Sequence, residues 1–600
     1  MGTSCKYANP LRNWLGIMLL LASSAGAQPA WVKEAINRGA EVKPHKDAKI
    51  LVLCATSEVT ISQNGRVNRA NCWAGRVLTR AGVDAVTLNE KVTGTRKVKD
   101  LKGWLIRPDG KKVVLEKDRI VEIDLDQAAG YYNDDRSLIA SFSDVKPGDV
   151  VAYEYTVEEN DPWTGYNLEY RPEEPFMPSW SLLSRRAAVT CYDPESSGLQ
   201  GHRDWRSVAA WMRSLQDRAC ADTAALAGTV STVCGNLTQP GARLRAIAHY
   251  VRDNIRYVAV EIGAGRFQPR AAGTTLTNRY GDCKDKVALV RAMLALAGIP
   301  SEAVGALIGE RVDPDFPSPF QFNHVIIAIP IQALPDLPPY PDATVDGWLY
   351  FDPTDEATDL GQLPSGLRGT YVLKTSVDDG ATTRLPSPEP EDQRRVYRAA
   401  AELKPDYSLR AKVTVVDYGV WGAASRYEDR TSATKDLVEA WQKRFAGVMQ
   451  NPTLSDFTTG ADGDSAWVSF DLSGERIASV AGQYHLLTTD FFHSDNADDL
   501  TAAERVHPIS FGNPTETMTK IDWHLPPGWG TDGKPEVIQD SCVLARVDCR
   551  VTGDTSLTLE SRIVYYGGTV GPEQYDQAKR FNKNMRASQR VRTFLRRSGS

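Results

Sequence analysis

Residues 279–300, Arg-Tyr-Gly-Asp-Cys-Lys-Asp-Lys-Val-Ala-Leu-Val-Arg-Ala-Met-Leu-Ala-Leu-Ala-Gly-Ile-Pro, constrain the fold more than any other stretch of the 600-residue chain. From Lys284 onward, apolar residues fall at Val287, Leu289, Val290, Met293, Leu294 and Leu296 with alanines between them, the pattern of a helix buried over much of its circumference. Gly281-Asp282 reads as a turn and N-cap, which puts Cys283 in the first helical turn, and Gly298 followed by Pro300 predicts the stop. A thiol at that place lies beside unpaired backbone N–H groups and the positive end of the helix dipole, both of which favour negative charge on sulfur.

Two later strand-like stretches supply what such a cysteine needs. Phe322 to Ile329 carries His324 at the mouth of an apolar run, and Trp348 to Thr354 carries Asp352 at the end of an aromatic one. A thiolate nucleophile, an imidazole base and a carboxylate that fixes the imidazole tautomer make a triad for covalent acyl transfer. Spacing leaves Asp355 and Glu356 open as alternatives to Asp352. The backbone N–H of Cys283 is a natural oxyanion donor, and Gln268, in the loop that feeds the nucleophile, is the candidate for a second; an ordinary turn amide before Pro269 is an equal reading of that glutamine. Cys283 taken alone also reads as a structural thiol or half of a disulfide. Lys284, Asp285 and Lys286 read as cap and surface pairs of the helix.

Gly281-Asp282-Cys283 opening a helix, Asn323-His324-Val325 opening a strand and Phe351-Asp352-Pro353-Thr354 closing the next resemble the transglutaminase-like core. That superfamily has a papain-like Cys-His-Asp fold. The longer string from Gly281 to Lys286, with Gln268-Pro269-Arg270 upstream, resembles its bacterial exported branch, in which the core follows a β-rich domain of unknown function and precedes another β domain. The resemblance implies an α+β architecture, a central core flanked by two mostly-β sandwich domains, and it selects Asp352 as the triad acid.

Six hundred residues exceed what one core organises. The segments expected are a signal peptide over 1–27, an N-terminal β-sandwich domain over 28–204, the core over 205–383, a Pro-rich acidic linker over 384–394, a C-terminal β domain over 395–572 and a basic helical tail over 573–600. Lys6 and Arg12 precede the apolar run Trp14 to Ala22, and Ala25-Gly26-Ala27 follows, which describes a cleavable secretory signal and a periplasmic or secreted protein with no later membrane span. Removing Cys5 with the signal leaves eight of nine cysteines. Cys54 with Cys72, Cys220 with Cys234 and Cys542 with Cys549 are the local pairs expected, leaving Cys191 and Cys283 single. There is no Cys-x-x-Cys pair and no His-Glu-x-x-His, so neither metal nor cofactor is expected. A net charge of −6 argues against a general nucleic-acid binder.

Within these segments, Lys49–Leu53 and Glu58–Ile61 read as separate strands followed by an Asn64-Gly65 turn, and Pro108-Asp109-Gly110 reads as a tight turn between strands. Helices are expected over Trp205–Gln216, Ala242–Asn254 and Ala433–Met449, and strands over Ile255–Val260 and Ala303–Ile308. His249 falls on an amphipathic helix and reads as structural. The sequence points to a cysteine hydrolase acting on peptide or isopeptide amides of a protein or peptide, cell-wall peptide included. A transamidase of the same mechanism is the nearest alternative, and a non-catalytic cell-envelope binding or assembly protein is the other.

Overall fold

The computed structural model describes residues 3–6 and 28–597, apart from 45–47, 63–65, 125–130, 133–134, 160–162, 168–173, 179–182, 184–185, 191–201, 222, 261–266, 309–311, 314, 376–381, 494–499 and 532. The apolar run of the expected signal, Asn64-Gly65 and Cys191 therefore lie outside the described residues. No helix among those described is long and apolar enough to cross a membrane.

The N-terminal region has α1 (Ala30–Gly39), a two-stranded ribbon of Trp163–Asn167 with Arg186–Thr190, and two larger sheets. One is six-stranded in the order Thr3–Lys6, Ile50–Ile61, Val67–Val77, Val150–Glu159, Arg96–Ile106 and Lys112–Val114. The other sets Arg136–Ala140 between Leu88–Val92 and Ile120–Asp124. Val77, Leu105, Ala140, Val151 and Tyr153 form the apolar cluster the two sheets share. The expected break after Leu53 does not occur: Ile50–Ile61 is one strand with a bulge between Val52 and Cys54. The bulge absorbs the phase change that made the stretch read as two strands. The Pro108-Asp109-Gly110 turn is present, with Gly110 at φ +86° and Arg107 N–H bonded to the Lys111 carbonyl at 2.9 Å.

The central region packs α2 (Trp205–Cys220), α3 (Ala227–Cys234), α4 (Pro240–Asn254), α5 (Ala272–Asn278) and α6 (Cys283–Leu296) with an antiparallel sheet. Its strand order is Thr344–Val345, Trp348–Phe351, His324–Pro330, Glu302–Ala306, Tyr371–Lys374 and Thr382–Arg384. α6 lies at its centre: every residue from Cys283 to Val290 is buried, and Leu289, Val290, Met293 and Leu294 join the largest apolar cluster. The helix ends at Leu296 with Gly298 at φ +76°. α3 is β-branched and polar enough to read as loop; Val230 and Cys234, one turn apart, fix it to the core. The strand expected over 255–260 is reduced to two short parallel bridges, Arg256–Tyr257 to Tyr280–Gly281 and Ala259–Val260 to Tyr131–Tyr132 of the N-terminal region.

The C-terminal region has an eight-stranded sheet, running Gln450–Asp462, Ser465–Glu475, Leu409–Asp417, Arg394–Leu403, Thr515–His524, Ser556–Tyr565, Ala545–Gly553 and Glu536–Cys542. A second sheet of four strands brings Ala478, Leu487, Trp529 and Leu595 into one apolar cluster with Phe470 and Trp523 of the large sheet and with Phe445, Phe491 and Phe492. An unexpected helix, α7 (Gly419–Thr431), is followed across extended Ser432 by α8 (Thr434–Phe445), the helix expected over Ala433–Met449. α9 (Tyr575–Ser588) buries Phe581 and Met585, and the basic tail then ends as the strand Arg592–Arg597 rather than as helix. Thr593 and Leu595 point inward while Arg592 and Arg596 are exposed, a period of two that a helical reading overlooks.

The expected cysteine pairs are not bonded; Cys54, Cys72, Cys220, Cys234, Cys542 and Cys549 are free thiols. Register explains the last pair: Cys542 lies across from Ala545 and Cys549 across from Ile538, so they stand apart along the hairpin. The Cys220 sulfhydryl instead donates to the Ala288 carbonyl at 3.3 Å.

Candidate active site

The entrance to α6 is built by reciprocal capping. The Asp282 carboxylate accepts from Asp285 N–H at 3.3 Å, and Asp285 accepts from Asp282 N–H at 3.4 Å. Gly281 makes room for this, because a Cβ there would lie 2.6 Å from Asp285 Cβ. Asp285 also accepts from Arg270 N–H at 2.7 Å and from its guanidinium at 3.1 Å, which pins the loop carrying Gln268 against the first turn. Lys284 donates to Asp282, and Lys286, with no exposed surface, donates to the Ile255 carbonyl at 2.9 Å. The capping expected of this string is present; the surface pairs are not, because a helix enclosed on nearly every side has no surface to offer them. Burial pulls the Lys286 ammonium down to about 8, against the opposing pull of Glu356, Asp352 and Asp253.

His324 opens its strand across from Ala306, and α6 packs against that strand. Phe351 pairs with Ile327, so continuing the register sets Asp352 across from Ile326 and diagonal to His324 on one face. His324 Nε2 lies 2.8 Å from Asp352 Oδ2. Asp352 Oδ1 accepts from Thr354 N–H at 2.9 Å and from its hydroxyl at 2.7 Å. Cys283 is the ring's other polar neighbour and, like Asp352, favours its protonated form. Cys283 and His324 are each 8% exposed and Asp352 3%. The three are thus buried together, with the imidazole bonded to the carboxylate and influenced by the thiol.

Burial disfavours the charged ring, but the Asp352 charge and hydrogen bond, with Cys283 on the other side, outweigh it and hold His324 well above its ordinary range. Burial likewise works against ionised Asp352, and the facing imidazolium and the two Thr354 bonds hold it below its ordinary range. This charge pattern suits an imidazolium facing a carboxylate.

The rival acids are occupied elsewhere. Asp355 accepts from Ala357 N–H at 2.7 Å and Thr358 N–H at 3.3 Å within its own loop, and Glu356 accepts from the Tyr427 hydroxyl at 3.0 Å. Gln268 is exposed two residues before the anchored Arg270 and, among the described residues, makes no hydrogen bond to Cys283, His324 or Asp352. His249 is exposed on α4. No cluster of three or more His, Cys, Asp or Glu among the described residues could hold a metal ion. Sequence reasoning passed over two contributors. Thr354 stood in the quoted motif without a role, and Lys286 was legible as buried from the apolar wrapping of its own helix.

Residues 227–353, which contain all three side chains, match the model of the transglutaminase-like superfamily. The central domain is transglutaminase-like. Residues 63–196 match a domain of unknown function that has a solved structure, DUF3857. The crystal structure of a provisionally named protease from Parabacteroides distasonis superposes with a TM-score of 0.51 at 11% identity, covering 89% of this chain and 96% of that one. The likeness extends through the sheet-rich regions on both sides of the transglutaminase-like domain and is one of fold. A provisionally named cysteine protease from Cytophaga hutchinsonii shares 14% identity over 51% of this chain and 78% of its own, with a TM-score of 0.17, too low to bear on the fold. No curated protein matches the chain.

Proposed function

We propose that the chain is an exported cysteine-dependent acyl-transfer enzyme that hydrolyses peptide or isopeptide amides. The observation that carries this reading is the His324 ring held between Cys283 and Asp352. In the proposed cycle His324 takes the thiol proton, and the Cys283 sulfur attacks the amide carbon. The resulting oxyanion sits toward the Cys283 N–H at the start of α6, with Gln268 as the second donor if the loop brings it in. The tetrahedral adduct expels the amine, which takes its proton from the imidazolium, and a thioester remains. His324 then removes a proton from water, which attacks the thioester and releases the acid and the thiol. An amine in place of water gives transamidation from the same intermediate. Export is supported by the basic, apolar and small-residue pattern of residues 6–27, and the substrates proposed are proteins or peptides, including cell-wall peptide.

The test is labelling with a peptide-mimicking electrophile, followed by mass spectrometry of the modified residue. Selective modification of Cys283, lost in Cys283→Ala together with amide turnover, is expected. Labelling of Cys283 no faster than free cysteine, or turnover retained in Cys283→Ala, overturns the reading.

A further inference from the structure

Glu356, four residues beyond Asp352, is the place where the C-terminal β region grips the transglutaminase-like domain. Its carboxylate accepts from Tyr427 Oη at 3.0 Å and its carbonyl from the Arg430 guanidinium at 2.8 Å, both on α7. The same helix reaches further along the loop. Arg426 donates to Gln362 Oε1 at 3.2 Å and lies 3.6 Å from Asp359, a carboxylate that also accepts from Arg252 of α4 at 2.5 Å. From Asp352 to Thr358 the chain is bonded to itself, Thr354 to Asp352 and then Ala357 and Thr358 to Asp355 on either side of Glu356. The segment is therefore a short stiff arm: Asp352 sits at one end, and the other is fastened to a different sheet-rich region. Its carboxylates Asp352 and Glu356 both act electrostatically on buried Lys286, three residues along α6 from Cys283.

We propose that Glu356 and Tyr427 are positioning residues, through which α7 fixes the arm that holds Asp352 against His324 and so keeps the ring aimed at Cys283. The proposal rests on the acyl-transfer reading above and deepens it: the C-terminal β region is a working part of the site. Neither residue touches substrate. Their effect travels through the placement of Asp352, and small misplacements of that kind cost rate rather than binding.

The experiment uses the full chain carrying Tyr427→Phe, Glu356→Ala, Glu356→Gln, or Tyr427→Phe with Glu356→Ala. A peptidyl chloromethyl ketone, whose chloride the Cys283 sulfur displaces, gives separate inactivation rate and affinity, and iodoacetamide labelling of Cys283 gives the pH profile. Tyr427→Phe and Glu356→Ala are each expected to lower the maximal inactivation rate about tenfold with affinity within about twofold. Both are expected to narrow the pH range of fast labelling. Glu356→Gln, which still accepts the Tyr427 bond, is expected to recover most of the rate, and the double variant to be no slower than either single one. Lowered urea midpoints with unchanged inactivation rate and pH profile, or additive losses in the double variant, overturn the proposal. A wild-type Cys283 without fast labelling overturns the acyl-transfer reading, and the proposal with it.

Discussion

Lys286→Met gives the sharpest quantitative test of the buried site. Native Lys286 titrates near 8 instead of its ordinary 10.5, chiefly because burial penalises the ammonium. That drop of about 2.5 pH units, at about 1.36 kcal/mol each, corresponds to about 3 kcal/mol of native-state cost while the lysine is charged. Below pH 8 native and unfolded chains both hold the proton. From about 8 to about 10.5 the native chain has released it and the unfolded chain still holds it, so wild-type stability rises with pH by about 3 kcal/mol across that window. Methionine has nothing to titrate. It removes the buried charge but leaves the Ile255 carbonyl without its donor, at about 1–3 kcal/mol, so the two proteins lie close together at pH 7. The expected signature is thus a stability difference, wild type minus variant, that climbs between pH 8 and 10. Urea transitions followed by quenched labelling of Cys220 and Cys234, which pack in the domain's apolar cluster, read it out. Parallel curves for the two proteins from pH 7 to 10 would refute the reasoning.

Other substitutions test the remaining parts. Asp352→Asn removes the charge that holds the imidazolium up, so Cys283 labelling below the ordinary thiol range is expected to fall on the order of 10²- to 10⁴-fold while labelling at alkaline pH persists; an unchanged pH profile sinks the role. Thr354→Val removes the 2.7 Å hydroxyl bond but keeps the backbone one, with an expected loss of about 1 kcal/mol, roughly fivefold in inactivation rate, recovered by Thr354→Ser. Gly281→Ala forces a Cβ to within 2.6 Å of Asp285 Cβ and breaks the reciprocal cap, at about 1–3 kcal/mol in the urea midpoint. A midpoint equal to wild type would show that the turn relaxes freely.

What was legible in the sequence was local. The apolar spacing of α6, the Gly281-Asp282 start and the Gly298 stop are properties of one segment, and the structure follows them except at Leu296, which is exposed in the last turn. The histidine and aspartate strands are equally local, but their meeting depends on the pairing of Ile327 with Phe351, which no single segment encodes. The expected cysteine pairs failed for the same reason: loop length was visible and ladder register was not. α7 opens with Gly419 and Gly422 on either side of Val420 and Trp421, which weakens its helical signature. Its fit is tertiary, since a Cβ at Gly422 would lie 2.6 Å from the Asp464 carbonyl. Lys286 shows the opposite failure, in which a charged residue was assigned to solvent although its own helix had already been read as enclosed.

Glu174 has a consequence for how the molecule is assembled. Its carboxylate accepts from the N–H groups of Val506 at 3.0 Å and His507 at 2.9 Å, while Phe176 stacks edge-on with Phe511 and its carbonyl accepts from Ser510 N–H at 2.8 Å. These partners are made last. A chain ending before residue 500 leaves an acid and an aromatic ring of its first region without these partners.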